Sequence, residues 1–305
     1  MRFGGHQTFS IRDGWMFKGL QALVETPQAF GTDTLRDELG VGKNMARSIE
    51  HWLRAVGLAQ EIGRVRNSPL RVSELGRLIW EYDRYFLDPG TWWVLHVNLV
   101  ENPQHAYSWS WFFNRFTHNR FERATVVDAL RRQLLADGER MPSMTTLERD
   151  VACLLRSYSE VLPRELGDHE DILECPFVGL GIMKHSKQSG FFHVDRGLKP
   201  IPFPVFGWLV GRRFGASEER EVIDVSLTEL TYEPGAPGRV FQLSAESVFE
   251  LISSYESVEG GRISLNSQAG ERVVRFRNQP ASEWLEEYLG SIPSDDDLLV
   301  GTTVG

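Results

Sequence analysis

Thr34-Leu35-Arg36-Asp37-Glu38-Leu39-Gly40-Val41-Gly42-Lys43-Asn44-Met45-Ala46-Arg47-Ser48-Ile49-Glu50-His51-Trp52-Leu53-Arg54 is the stretch on which the fold turns. Its first eight residues read as a short helix that stops at a glycine. The rest reads as a second helix, with Ile49, Trp52 and Leu53 on a core face. Gly42, Lys43, Asn44 and Arg47 fall on the open face. Gly57-Leu58 then turns the chain into a hairpin, with Arg64, Arg66 and Arg71 flanking a tip at Asn67-Ser68-Pro69. From Thr32 to Val72 the order is that of a winged helix-turn-helix. Such a helix presents its N-terminal side chains to the major groove, and the wing reaches phosphates. Lys43 can meet a phosphate or a guanine, and Asn44 an adenine. Arg47, Arg54, Arg64, Arg66 and Arg71 complete the expected DNA-binding set. The competing reading is a small helical bundle whose arginines are solvated. Winged helices also dock proteins, so the fold alone does not settle function.

The charge is distributed to match. The whole chain of 305 residues carries a formal net charge of −9, which argues against a protein that coats nucleic acid indiscriminately. Residues 1–80 hold eleven Lys or Arg against eight Asp or Glu, whereas residues 215–300 hold six against seventeen. The basic surplus sits where phosphate contacts would need it. Only five lysines stand beside 28 arginines.

Composition is ordinary for a globular chain, 41% apolar and 25% charged. No run of about 18 apolar residues exists, so no membrane span is expected. Met1-Arg2-Phe3-Gly4-Gly5-His6 lacks the apolar core of a signal peptide. Cys153 and Cys175 make neither a disulfide framework nor a paired metal motif. A reduced, cytoplasmic setting fits these features.

The expected fold class is mainly α, of α+β type. Residues 1–85 form the N-terminal winged-helix domain and residues 86–190 a helical domain. Residues 191–293 form a winged-helix-like unit, and residues 294–305 a disordered tail. Helices are expected over Trp15–Val24, from an N-cap at Ser73, from an N-cap at Thr91, over Trp109–Phe116, over Ala124–Leu135, and from Thr145 or Thr146 to Tyr158. Residues 190–206, with Gly190, Gly197, Pro200, Pro202 and Pro204, read as loop or linker. A short helix over Val205–Val210, a helix over Ala245–Tyr255, a hairpin around Asn266–Gly270 and a last helix over Glu283–Leu289 follow. This second unit is acidic, which favours a protein-facing or structural role over DNA contact.

Phe3-Gly4-Gly5-His6-Gln7-Thr8-Phe9, followed by Arg12, Trp15 and Lys18, is the other unusual stretch. Arg12, Trp15 and Lys18 recur every three residues, so one helical face would carry two cations beside a ring. That face could hold a phosphate, with His6 as a third donor or a general base. The alternative is that the segment caps the helical core, with His6 satisfied by the backbone. His96, between aromatic helical residues, reads as core. Glu165, Asp168, His169, Glu170, Asp171 and Glu174 read first as a solvated acidic loop and second as a divalent-metal site. Lys184, His185, Lys187 and His193 form a small basic loop. Tyr107 and Tyr158 are not singled out by their surroundings. No Walker loop, dinucleotide fingerprint, nucleophile elbow or metal-ligand spacing is present.

Taken together these stretches resemble one family. Phe3–Phe9 with Arg12, Trp15 and Lys18 is similar to its N-terminal signature. Thr91-Trp92-Trp93-Val94-Leu95-His96, Leu147-Glu148-Arg149-Asp150, Glu170-Asp171-Ile172-Leu173-Glu174-Cys175-Pro176 with Leu180-Gly181, and Pro237-Gly238-Arg239-Val240-Phe241 are similar to later ones. The family is a bacterial group of formerly unknown function, encoded in DNA phosphorothioation islands. The resemblance covers nearly the full chain. It implies the nickase-type subunit of the Ssp system, working on double-stranded DNA in phage defence. Its implied partners are a cysteine desulfurase, an ATPase and an ATP-pyrophosphatase-like sulfur-transfer protein. Nicking would give those partners access to one strand.

The expected function is therefore a DNA nickase of a phosphorothioation system. Its candidate catalytic residues are His6, Arg12 and Lys18, and its candidate cofactor is a divalent metal such as Mg²⁺. The alternatives are a non-catalytic DNA-binding adaptor that recruits sulfur-transfer enzymes, and a winged-helix transcription regulator.

Overall fold

The computed structural model of the chain describes residues 3–63, 69–162, 175–215, 221–268 and 270–293. Arg64, Arg66 and the tip at 67–68, the acidic run with His169, and the tail 294–305 lie outside the described residues.

Helix α1 spans Trp15–Glu25 and buries Trp15, Met16, Gly19, Leu20, Ala22 and Leu23. That stripe repeats at three to four residues, as one buried helix face requires. A 3₁₀ turn at Pro27–Ala29 follows. Helix α2 spans Leu35–Leu39 and ends at Gly40, whose φ of 63° is left-handed and therefore suits glycine. Helix α3 spans Lys43–Ala55. Ile49, Trp52 and Leu53 on it are all 0% exposed. Each such side chain contributes about 2 kcal/mol by leaving water. Leu58, also buried, leads into β1 (Ala59–Glu61), which pairs antiparallel with β2 (Leu70–Val72). Helix α4 spans Glu74–Tyr82, and the Ser73 hydroxyl caps it by accepting from Gly76 N at 2.9 Å.

The middle of the chain is built around α5 (Pro89–Val100). Every residue of it except Pro89 and Asn98 is buried, so it is a core helix on all faces. Its cap is Asp88, which accepts from Gly90 N at 2.8 Å, with Pro89 in the first turn. Thr91, expected as the cap, lies buried inside the helix. Next come α6 (Tyr107–Arg115), β3 (Arg120–Phe121), α7 (Arg123–Ala136) and α8 (Met144–Tyr158). The cap of α8 is Ser143, two residues before the earlier of the expected threonines.

A four-stranded sheet lies where the sequence reads as helix and loop. Its strands are β3, β4 (Ser159–Leu162), β5 (Met183–Ser186) and β6 (Phe192–Val194), in the order β3-β6-β5-β4. β4 and β5 are parallel, and the other pairs are antiparallel. Met183 pairs with Val194 and His185 with Phe192, so a hairpin bridges position 190.

Helix α9 spans Phe203–Phe214, longer at both ends than the expected helix. β7 (Val222–Ser226) runs into α10 (Leu227–Tyr232) through a capping box of Ser226 and Glu229. After α11 (Pro237–Val240) and α12 (Ala245–Val258) the expected hairpin appears as β8 (Ile263–Gln268) and β9 (Glu271–Arg277). β7 joins it, giving the antiparallel order β7-β9-β8. Helix α13 (Ala281–Gly290) packs on α9 and on α4. One apolar cluster runs from Ile11 to Leu289. The class is thus α+β. Among the described residues no helix is long and apolar enough to cross a membrane.

Candidate functional site

The N-terminal end of α3 is open. Lys43, Asn44 and Arg47 are exposed, while Ala46, Ile49 and Leu53 beneath them are buried. Amphipathic spacing alone produces this split, because residues three and four apart share a face. Lys43 Nζ lies 2.8 Å from Asp33 Oδ1, and both side chains are largely solvated. The lysine draws the Asp33 carboxyl below its usual range, first by hydrogen bonding and then by charge. A solvated pair of this kind is weak, so Lys43 can leave it for a phosphate. Arg71, on β2, is exposed too.

Arg54 departs from the expected set. Its side chain is 10% exposed and forms ion pairs with Glu50 at 2.7 Å and Glu61 at 3.3 Å. Two carboxylates claim it, and it braces α3 against β1 instead of facing outward. The pair Glu50–Arg54 is spaced i to i+4, so the sequence carries this signal.

The expected catalytic trio does not form one surface. His6 is 1% exposed. Its Nε2 lies 2.8 Å from Asp150 Oδ1, and its Nδ1 accepts from the Thr8 amide at 3.1 Å. Burial works against a charged ring, whereas the Cys153 sulfur and the Asp150 carboxylate work for one. The Thr8 amide fixes the tautomer: Nδ1 keeps its lone pair and Nε2 donates to Asp150. Asp150 also accepts from Gly4 N and from Ser108 Oγ, each at 2.6 Å. The ring sits among Trp52, Trp109 and His51. Gly5 is needed here, because a Cβ on it would overlap the His51 ring. Gln7 and Thr8 hold left-handed φ values of 50° and 71°, a strained turn for side-chain-bearing residues. Arg156 ties that turn down by donating to Thr8 O at 2.8 Å.

Arg12 and Lys18 do not share a helical face, because α1 begins only at Trp15. Arg12 precedes it, with its guanidinium 5.4 Å from the Phe9 ring centre and 5.5 Å from that of Trp15. Lys18 is exposed. Among the described residues neither cation is in an ion pair.

Asp150 and Ser108 are the partners that sequence reasoning did not assign to His6. The available signal was phase: Asp150 falls between Leu147, Val151 and Leu154 on the buried side of α8.

His96 is buried, accepting from Tyr158 OH and donating to Val240 O, each at 2.8 Å. Burial pushes it down to about 4. Burial likewise raises the Tyr158 phenol well above its usual range and the Cys175 thiol to about 12. Neither is a ready nucleophile. Tyr107 is half-buried against Phe3, and burial raises its phenol as well. Lys184 and His193 face each other across β5 and β6 and are exposed, with Lys184 lying 3.7 Å from Asp195. Among the described residues no three His, Cys, Asp or Glu side chains come together as a metal-ligand set.

Two solved structures are similar to this chain over nearly its whole length. One is a crystal structure of SspB and the other of magnesium ion-bound SspB. Each is 26% identical, with a TM-score of 0.81, covering 98% of this chain and 93% of the other. No curated protein gives a match. Residues 3–289 match the family described as protein of unknown function DUF4007, and the chain belongs to that family.

Proposed function

We propose that this chain is an SspB-like component of a DNA phosphorothioation system in phage defence. In this reading it docks on double-stranded DNA and nicks one strand for the sulfur-transfer proteins. The observation that carries it is the likeness to SspB along 98% of the chain at 26% identity. The segment from α2 to β2 acts as a winged helix. Lys43, Asn44 and Arg47 at the open end of α3 face the groove, and Arg71 on β2 faces a phosphate. Arg12, just before α1, and Lys18, on its exposed side, hold the phosphate near the cleaved bond; among the described residues neither is in an ion pair.

A second reading is favoured by the burial of His6, whose ring is committed to Asp150 and the Thr8 amide. Here the chain binds DNA without cutting it and recruits the sulfur-transfer proteins.

Supercoiled plasmid, incubated with the protein with and without Mg²⁺, separates the two. Relaxed circles that disappear with Arg12→Ala or Lys18→Ala support the nickase. Plasmid that stays supercoiled while band shifts persist supports the adaptor. Neither binding nor relaxation by the unaltered protein overturns both.

A further inference from the structure

Strand β2 has an open edge. It pairs with β1 alone, in a two-stranded sheet. Ile62 N donates to Pro69 O at 2.7 Å and Ser73 N to Leu58 O at 3.0 Å, so both of these cross-strand pairs are hydrogen-bonded. Bonded pairs recur at every second residue of an antiparallel ladder, which makes Gln60 and Arg71 the bonded pair between them. The N–H and C=O groups of Leu70 and Val72 therefore point away from β1. Among the described residues those groups have no hydrogen-bond partner. Leu70 is 3% exposed. Backbone groups in so sheltered a place are costly to leave unpaired. An unpaired edge is also a template for another strand.

That edge forms one wall of a groove of about 1220 Å³. Four successive residues, 69 to 72, line it, although their side chains alternate between two faces, so the groove runs along the backbone. Helix α4 contributes Arg77, Trp80 and Glu81, spaced as one helical face, with Arg84 just beyond its end. Apolar surface lies open in the groove, where Val24 is 41% exposed and Ile62 52%. Three guanidinium groups, those of Arg71, Arg77 and Arg84, stand against the single carboxylate of Glu81. Among the described residues none of the three arginines is in an ion pair. Free cations beside bare apolar side chains, in a chain of net charge −9, call for a ligand that is acidic and apolar together.

We propose that this groove takes an extended, acidic segment of a partner protein, which adds to β2 as a third strand. Leu70 and Val72 exchange backbone hydrogen bonds with it. Its carboxylates meet Arg71, Arg77 and Arg84, and its apolar side chains cover Val24 and Ile62. The strand edge selects a polypeptide over a nucleic acid, which has no ladder of N–H and C=O groups to pair with it. The proposal stands apart from the DNA reading, with one shared residue: a docked segment would keep Arg71 from a phosphate.

The probe is a fluorescein-labelled hexapeptide of alternating aspartate and valine, capped at both ends and titrated with the full chain in the absence of DNA. Saturable binding by anisotropy is expected, with amide hydrogen exchange at Leu70 and Val72 slowed at least tenfold. Arg77→Glu with Arg84→Glu, two exposed positions, should weaken binding at least tenfold while leaving Arg71 in place. N-methylation of the valine amides, or in a second peptide of the aspartate amides, should abolish binding in at least one case, because one set faces β2. No saturable binding up to about 1 mM, by protein with native circular dichroism, would overturn the proposal. So would binding that both methylated peptides retain, that ignores the two charge reversals, or that leaves exchange at Leu70 and Val72 unchanged. Tighter binding of a ten-nucleotide oligothymidylate, lost with the same two substitutions, would assign the groove to a nucleic acid instead. Protection of both amides in the protein alone, appearing together with a dimer as concentration rises, would assign the edge to a second copy and overturn the proposal as well.

Discussion

His6 and Asp150, 144 residues apart in the chain, meet at 2.8 Å in the interior. The carboxylate is buried and also holds Gly4 N and Ser108 Oγ. Removing the ring leaves a buried charge short of a donor. His6→Ala should therefore destabilise the fold by about 3 kcal/mol. His6→Asn, which keeps an N–H donor, should cost distinctly less. Urea denaturation of the three proteins measures this. Equal stability in all three would mean that the pair has no role in holding the N-terminal turn.

His96 gives stability a pH dependence of known sign. Folding lowers its proton affinity from the ordinary 6.5 to about 4, because the buried ring cannot solvate a charge. The unfolded chain therefore takes up the proton first as pH falls. The contribution is intact above about pH 6.5, declines below it, and levels off under about pH 4, with a total of about 3 kcal/mol. Thermal melts of the protein and of His96→Gln between pH 4 and 7 should diverge accordingly. Parallel curves would show that His96 does not drive the loss.

The open end of α3 predicts a salt signature. Lys43→Glu with Arg47→Glu should weaken binding to duplex DNA. The slope of log affinity against log salt should also fall by about 2, nearly one for each phosphate that goes without its cation. Folding stability should change by under about 0.5 kcal/mol, since both side chains are solvated. An unaltered slope would move the DNA surface elsewhere.

Arg54 predicts the opposite pattern. Arg54→Ala leaves Glu50 and Glu61 facing a site that had neutralised them. It should cost about 2 kcal/mol of stability. The salt slope of DNA binding should stay as it was. A stable protein with a reduced slope would return Arg54 to the DNA surface.

The local elements are legible in the sequence where the signal is local. Gly40 and Gly42 mark the turn between α2 and α3, and the spacing of Ile49, Trp52 and Leu53 marks the buried face. The hairpin of β8 and β9 declares itself by alternation around a turn. The four-stranded sheet does not, because β3 is two residues long and β6 three. Segments that short show no alternation, and β3 finds its partner more than seventy residues later. The candidate site divides in the same way. Exposure of Lys43, Asn44 and Arg47 follows from helical phase. The burial of His6 depends on Asp150 and Ser108, contacts made only by the folded chain. Spacing by three places Arg12 one turn too far into a helix, because Gly14, with a left-handed φ of 71°, delays the start of α1.

The packing of α13 on α4 has a consequence for the order of synthesis. The ribosome releases α4 some two hundred residues before the helix that covers it. Until residue 290 emerges, the Asp88–Gly90 corner lacks Tyr288, whose hydroxyl donates to Asp88. The region bearing α3 thus finishes its shell last, although it is made first. A nascent chain arrested within the acidic final third would present an N-terminal segment that is still open on one side.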